Sequence, residues 1–550
     1  MKLINSLFSL VCIISLGAGL ISCEKALPIT EGYPHQDQVD PVDDNYRNYY
    51  EIFVSSFCDS NGDGVGDLKG ITSKLPYLSG LGFSGIWLTP INTSPTYHKY
   101  DCADYFTIDP QFGTNDDFKE LVSTAHELNI KVIIDLVINH SSTQNRLFID
   151  AVNAHAKELS GGKLSESETS LANFYNFSPT NKSLYHRAPG QSFYYLGEFG
   201  SGMPDFNFDE PGVLKYFESV IDFYVNPDNG YAVDGFRMDA VKHFYTGNDI
   251  KSCAVISHIT DYTKSVNPNA YIVGENLAGS YSVKTFYELS TADSFFNFTV
   301  AQLAPSYLNT SLARDGQNAN DYWKLTDNNY TSAGGDIPAP FINNHDHMRR
   351  NYATDLGKTK LQWGLLSMLN GTTFAYYGDE IMMGHIPVSG SYADLAFRTF
   401  IPWGEAGDAG NCVNPMGNRP DRAGTYPLGS VKDNLGKEGS LTSYYRDANM
   451  IRNKYPEIAR GVPTLAKEVD IVPTKDGNVQ YTTGLVIKKE YNNETIYIAI
   501  NFSGTANYKF DKAVLNGASL VDYLTVDGKA VTSFEGNDIT LLPYTISLFK

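Results

Sequence analysis

Three patterns in the 550-residue chain predict an α/β fold, a (β/α)8 TIM barrel with a domain inserted after strand 3 and a C-terminal antiparallel β-sandwich. Short β-branched or aromatic runs, each followed by a helical pattern, recur eight times over about four hundred residues, the size of such a barrel with insertions. About sixty-five residues separate the end of the third run from Asp205, too many for a plain connection. Beyond about Tyr455 the helical period stops and strand-like segments take over. A doubly wound sheet is the rival architecture, but no GxGxxG follows the first run.

The first element is a leader. Residues 7–21 are almost wholly apolar, short of the roughly 20 residues a membrane span needs but suited to a signal-peptide core. The run Leu20-Ile21-Ser22-Cys23 resembles a bacterial lipobox. Residues 1–22 therefore read as a lipoprotein signal peptide and Cys23 as the lipidated residue. Residues 23–45, with Pro28, Gly32, Pro34, Pro41 and several Asp, read as a tether. The expected product is exported and lipid-anchored at the bacterial cell envelope or cell surface.

Barrel strands are expected at 51–54, 84–88, 131–137, 235–239, 271–275, 294–298, 340–343 and 373–377, within a domain spanning 46–454. The insertion occupies 141–208 and the β-sandwich 455–550. In the sandwich, 484–488, 495–502 and 540–549 read as strands, with Asn492-Asn493 as a turn. Functional residues of such a barrel sit at the carboxyl ends of its strands.

With 62 acidic against 42 basic residues, the formal net charge of −20 argues against a nucleic-acid partner, which would be repelled. Outside the leader remain Cys58, Cys102, Cys253 and Cys412, with no CxxC; three complete pairings are open, and free thiols are equally compatible.

The strand ends carry the chemistry. In Gly235-Phe236-Arg237-Met238-Asp239, side chains two apart share a face, so Arg237 and Asp239 point together. The guanidinium keeps the carboxylate ionised and oriented, as a nucleophile requires. The next strand ends Val273-Gly274-Glu275-Asn276; a Glu facing another carboxylate has a raised pKa and suits a general acid. The seventh ends Asn343-Asn344-His345-Asp346 and the third Val137-Ile138-Asn139-His140.

These four stretches, in this order, resemble the signature regions of the α-amylase family, glycoside hydrolase family 13. Gly82–Pro90, Met203-Pro204-Asp205-Phe206-Asn207 and Tyr377-Gly378-Asp379-Glu380 extend the match to roughly residues 46–550. The resemblance implies that Asp239 is the nucleophile of a covalent β-glycosyl-enzyme, Glu275 the acid/base and Asp346 the third carboxylate, with net retention. It places Arg237, His140 and His345 around the nucleophile and the −1 sugar, Tyr100 as the platform under that sugar, and Lys242 and His243 on the leaving-group side. It also identifies the insertion as the family's domain B and the sandwich as its domain C.

Asp59-Ser60-Asn61-Gly62-Asp63-Gly64-Val65-Gly66-Asp67 alternates oxygen donors with small residues, as a loop around a hard cation does. It opens like an EF-hand but has Gly70 at the twelfth position, and it resembles the metal loop of oligo-1,6-glucosidase and neopullulanase-like members. The implied ligands are Asp59, Asn61, Asp63, Asp67 and the Val65 carbonyl, with calcium favoured over magnesium. Asn139, Asp205 and the His243 carbonyl match ligands of the family's calcium between barrel and domain B, a candidate second site.

The expected activity is endo-hydrolysis of α-1,4-glucosidic bonds in starch, maltodextrins and pullulan, because Tyr97 stands where exo-acting relatives carry an Asp. A transglycosylase or exo-acting α-glucosidase is the alternative; a non-catalytic glycan-binding protein would not need all three carboxylates. The expected partners are α-glucan polysaccharide or oligosaccharide, other surface starch-uptake proteins, and the membrane only through the lipid anchor.

Overall fold

The computed structural model describes residues 43–228, 230–277, 280–301, 318–349, 355–386, 393–405, 410–413, 425–467, 471–473, 479–481, 483–527 and 532–550. The leader, Cys23 and nearly all of the tether lie outside the described residues.

Eight parallel strands form one sheet in the order β7-β6-β5-β4-β3-β2-β1-β8. They are β1 (Asn48–Ile52), β2 (Gly85–Leu88), β3 (Lys131–Leu136), β4 (Gly235–Met238), β5 (Tyr271–Gly274), β6 (Ser294–Asn297), β7 (Ala339–Pro340) and β8 (Thr373–Tyr376). A parallel bridge between Phe341 and Phe374 joins β7 to β8 and closes the barrel. The strand expected over 340–343 is thus only this short pair and bridge, because the chain bends into the site directly after Phe341.

The barrel core explains where the charges go. Tyr49, Trp87, Ile133, Tyr271, Val273, Phe296, Phe341 and Phe374 fill its lumen as one apolar cluster. Inward side chains recur every second residue. Two positions beyond Tyr49, Ile133 and Val273 come Glu51, Asp135 and Glu275. The lumen therefore changes from apolar to ionic toward the carboxyl ends of the strands. Register does the rest: Arg237 lies opposite both Asp135 on β3 and Val273 on β5, so Asp239 and Glu275 emerge side by side one step later. Gly235 permits the close approach of β4 to β5. Its φ is +143°, and a Cβ there would stand 1.9 Å from the Tyr271 carbonyl oxygen.

After β3 the chain makes an excursion with helices Arg146–Leu159 and Glu166–Leu171 and a small antiparallel sheet of Phe177–Ser178, Tyr185–Arg187 and Tyr194–Leu196. An antiparallel bridge between His140 and Asp205 ties its two ends together at the barrel's mouth.

The described C-terminal residues form a two-sheet antiparallel sandwich, with a separate pair of strands, Ile471–Pro473 and Val479–Tyr481, beside it in sequence. One sheet has the order β9-β10-β11-β13-β12, from β9 (Val462–Lys467), β10 (Gly484–Tyr491), β11 (Glu494–Asn501), β12 (Leu520–Leu524) and β13 (Ile546–Phe549). The other contains Tyr508–Asp511, Thr532–Glu535 and Asp538–Leu541. Both faces of the central strands are buried: Leu485, Ile487, Ile496, Ile498 and Ile500 join the barrel's outer core, whereas Val486, Tyr497 and Ala499 pack against the small sheet. The single strand expected over 540–549 is two strands in different sheets, because Pro543 and Tyr544 (φ +51°) turn the chain between them. Asn492 and Asn493 both have positive φ, as a two-residue hairpin turn demands. Helix also persists slightly past Tyr455, in Pro456–Arg460.

Among the described residues no helix is long and apolar enough to cross a membrane. Cys58, Cys102, Cys253 and Cys412 are free and buried.

Candidate active site

The mouth of the barrel is organised by one guanidinium. Arg237, 1% exposed, donates from Nη1 to Asp239 Oδ1 at 2.6 Å and to Asp135 Oδ1, and pairs through Nη2 with Glu275 Oε2 at 2.9 Å. Its plane lies over the Trp87 ring, 5.1 Å from the centroid. The Ala240 amide adds a second donor to Glu275 Oε2 at 3.0 Å; Ala240 adopts φ +48°, a left-handed conformation that swings the chain away directly after Asp239.

Burial pushes the Asp239 carboxyl up, and Arg237 opposes that shift. Glu275 is likewise raised by burial, against Arg237 and with the charges of Asp239 and Asp346. Both donors to Glu275 converge on Oε2, so a proton on this group belongs on Oε1. A carboxylic acid that keeps its proton and an oriented carboxylate beside it are the two parts of a retaining glycosidase.

Asp346 follows the seventh strand, with its side chain 36% exposed to the cleft. Its Oδ2 is 3.1 Å from His345 Nε2 and its Oδ1 accepts from Arg398 Nη2 at 2.9 Å. Desolvation would raise this carboxyl, but His345 and Arg398 outweigh it and hold the group well below the usual carboxylate range. The Tyr100 ring stacks on His345 at 5.5 Å between centroids, and its hydroxyl bonds His345 Nε2 (2.7 Å) and Asp135 Oδ2 (3.1 Å).

His140 is buried close to the Tyr100 segment. Its ring lies 5.3 Å from that of Phe199, a half-exposed residue of the inserted domain, and its Nε2 has no protein partner. Burial lowers its pKa to about 4, so it is a neutral imidazole. Lys242 and His243 share the 3-10 turn Val241–His243 directly after the β4 end. His243 Nδ1 meets Glu198 Oε1 at 2.9 Å, and the Phe199 ring leans on the His243 ring at 5.1 Å.

The sequence reading missed four polar partners. Asp135 accepts from Arg237, Tyr100 and Trp87 Nε1. Glu51 accepts from His345, Arg398 clamps Asp346, and Glu198 carries the inserted domain to His243. The signal for Asp135 and Glu51 was an acid at an inward position of an otherwise apolar strand. Arg398 and Glu198 lie in segments with no periodic pattern.

The two metal candidates differ. In the 59–67 loop the oxygens are turned onto the loop's own donors. Asp59 accepts from the amides of Asn61, Gly62 and Gly64, Asn61 Nδ2 donates to Asp63, and Asp67 accepts from Ser60 and the Gly70 amide. Among the described residues no three His, Cys, Asp or Glu side chains are gathered as a metal would require. The donor set is nonetheless all oxygen, which matches a hard cation. Beside the inserted domain, Asp205 Oδ1 is buried without a hydrogen-bond partner and burial pushes this carboxyl up to about 7. An orphaned buried carboxylate oxygen next to Asn139, whose carbonyl accepts from the Phe206 amide, fits a cation held by Asn139, Asp205 and the His243 carbonyl.

Residues 51–461 match the family model for the α-amylase catalytic domain. Alpha-amylase 3 of Dictyoglomus thermophilum is 30% identical over 519 residues, covering 92% of this chain and 93% of that protein. An alpha-glucosidase of Culex pipiens is 29% identical, covering 67% and 68%. Among solved structures, Eubacterium rectale Amy13B superposes with a TM-score of 0.82 at 32% identity, covering 94% of this chain and 97% of that one.

Proposed function

The chain belongs to the α-amylase family of glycoside hydrolases, and on that premise we propose that it is a retaining, endo-acting α-amylase cleaving α-1,4-glucosidic bonds in starch, maltodextrins and pullulan. In the first displacement Asp239 attacks the anomeric carbon while Glu275 Oε1 gives its proton to the departing glycosidic oxygen. A β-glycosyl ester on Asp239 results. Glu275, now ionised, takes a proton from water as that water attacks the same carbon; the bond to Asp239 breaks, Asp239 leaves as a carboxylate, and the product keeps the α configuration. The hold of one guanidinium on both carboxyl groups fits the short separation, about 5–5.5 Å, of a retaining pair. Asp346, kept ionised, accepts sugar hydroxyls, and His140 Nε2, buried without a protein partner, is free to bond a further hydroxyl.

The observation that carries the endo reading is the engagement of Arg398. Its Nε donates to the His345 carbonyl (3.0 Å), Nη1 to the Tyr97 hydroxyl and Asp394 (both 2.8 Å), and Nη2 to Asp346. Tyr97 itself donates to Asp394 at 2.5 Å. Every guanidinium nitrogen is satisfied inside the protein, which argues against a charged cap gripping the last sugar of a chain. An exo-acting α-glucosidase is the second reading, favoured by the similarity to the Culex protein. Maltoheptaose blocked at its non-reducing end separates them. Cleavage to shorter blocked oligosaccharides is expected, and complete resistance with glucose as sole product from the unblocked sugar would overturn the endo reading.

Calcium at the 59–67 loop and between Asn139, Asp205 and the His243 carbonyl belongs to the same proposal, as a structural ion that would brace the barrel's mouth. So does lipid anchoring at Cys23, which would hold the enzyme at the cell envelope near other glucan-uptake proteins. Labelled fatty acid should enter the parent protein and not Cys23→Ser.

A further inference from the structure

Glu51 is a carboxylate inside the first barrel strand, 1% exposed, where an apolar side chain would satisfy packing. It lies opposite Trp87 on β2 and Tyr376 on β8 and points into the lumen above Tyr49. Its Oε1 is 2.6 Å from His345 Nδ1 and also accepts the His345 backbone amide at 3.2 Å. His345 is fully buried, and its other nitrogen meets the Tyr100 hydroxyl and Asp346 Oδ2.

The partners of the two ring nitrogens point to the state of the ring. Tyr100 donates its one hydroxyl proton to Asp135 Oδ2, so at His345 the tyrosine oxygen accepts. Asp346 Oδ2 is an acceptor as well. Nε2 then carries a proton toward Asp346. Burial pushes the Glu51 carboxyl up, but its Oε1 faces both the His345 amide and the His345 ring, which oppose that shift; with Glu51 ionised, Nδ1 carries the second proton. A ring with both protons is an imidazolium, enclosed by Glu51 from β1, Asp135 from β3, Asp239 from β4 and Asp346 from its own loop, with Arg398 and Arg237 as the nearby cations. Burial alone would discharge this ring. Asp346 and Glu51 override it and push its pKa up to about 10.

We propose that Glu51 is a positioning residue for glycoside hydrolysis, holding His345 as an imidazolium with its Nε2–H aimed at Asp346, so that Asp346 stays ionised and fixed for the sugar in the −1 site. Glu51 touches no substrate; it acts through His345. The proposal rests on the hydrolytic reading of Asp239 and Glu275 and is independent of the preference for internal or terminal bonds.

Glu51→Gln tests it, because the amide oxygen still accepts from Nδ1 and packing is kept while the charge is lost. The kcat of the variant divided by that of the parent, on soluble starch, should fall about tenfold or more from pH 6 to pH 8 as His345 loses its proton, with KM changing less than threefold. Imidazole nitrogen NMR of the variant over the same range assigns the fall: His345 should lose a proton between pH 6 and pH 8, and a ring that keeps one state throughout would overturn the proposal. A pH-independent ratio, even with a lowered melting temperature, would leave Glu51 a packing residue and overturn the proposal. Glu51→Asp, which restores the charge, should flatten the ratio again. If Glu51→Gln does not fold, imidazole nitrogen NMR of the parent decides: two N–H signals at His345 at pH 8 are expected, and a neutral ring there overturns the proposal. A parent that hydrolyses no α-glucan would instead refute the hydrolytic reading itself.

Discussion

On the proposed mechanism the site reduces, at the residue scale, to two carboxyl groups with different jobs, and their variants should fail in different ways. Asp239→Gly removes the nucleophile. Turnover of starch should fall by about 10³-fold or more, and added azide should restore bond breaking on a nitrophenyl maltooligosaccharide with inverted product, a β-azide. Glu275→Ala removes the acid. Starch should again be lost, but the nitrophenolate leaving group needs no proton, so glycosylation persists and azide should yield the retained α-azide. Product NMR reads the anomer directly, and azides of the opposite anomers would exchange the two assignments. The place of Asp239 and Glu275 at the barrel's mouth was legible because their spacing on strands forces them to one end of a barrel, and Asp346 because it follows the seventh run in the Asn343-Asn344-His345-Asp346 motif. Glu51, Asp135 and Arg398 were not, since each gains its meaning only from a partner more than fifty residues away: His345, Arg237 and Asp346.

Among the elements, most barrel strands could be read because burial on both sides makes them short continuous apolar runs; the first, Asn48–Ile52, begins three residues before the run expected at 51–54. The β7 strand was located but drawn two residues too far, because its pairing is a two-residue match and a bridge, below what periodicity resolves. The segment 540–549 was misread because apolar content does not show that a turn transfers the chain between two sheets. The loop 59–67 is the element whose state most needs a measurement. It closes on its own amides, with Asp67 also capping helix Leu68–Gly80 through the Gly70 amide, so a bound ion would lock both the loop and the start of that helix. Chelation should lower the melting temperature by several degrees, with calcium restoring it better than magnesium. In Asp63→Ala with Asp205 intact the drop should be smaller. An unchanged melting temperature on chelation in the parent speaks against structural ions at either place.

For the whole molecule, the question is what couples the sandwich to the barrel, and the answer centres on one buried lysine, beside a buried arginine that ties barrel segments to one another. Lys489, on the barrel-facing side of β10 with Leu485 and Ile487, donates to the carbonyls of Met368 (2.8 Å) and Ile458 (2.6 Å) and to Asn370 Oδ1 (2.8 Å). Arg452 donates to the carbonyls of Ser367 and Leu369, both at 2.6 Å, and to that of Gly371. These oxygens follow the carboxyl end of helix Leu356–Ser367, where unpaired carbonyls and the helix dipole favour positive charge. One lysine thus joins the sandwich, the end of that helix and the short helix Pro456–Arg460. Burial, with the Arg452 charge beside it, drives the Lys489 pKa well below the ordinary 10.5. The folded chain therefore releases this proton at lower pH than the unfolded chain does, and folding sheds a proton in the window below 10.5. Stability contributed at this site should rise with pH across that window and level off above it. Lys489→Met keeps the length of the side chain but leaves three buried acceptors without a donor, a loss of about 2–4 kcal/mol. Calorimetry should show a lower melting temperature at pH 7, and the gap between parent and variant should widen toward pH 10. A variant as stable as the parent at both values would mean that the apolar side chains around Lys489, rather than its ammonium group, carry the coupling.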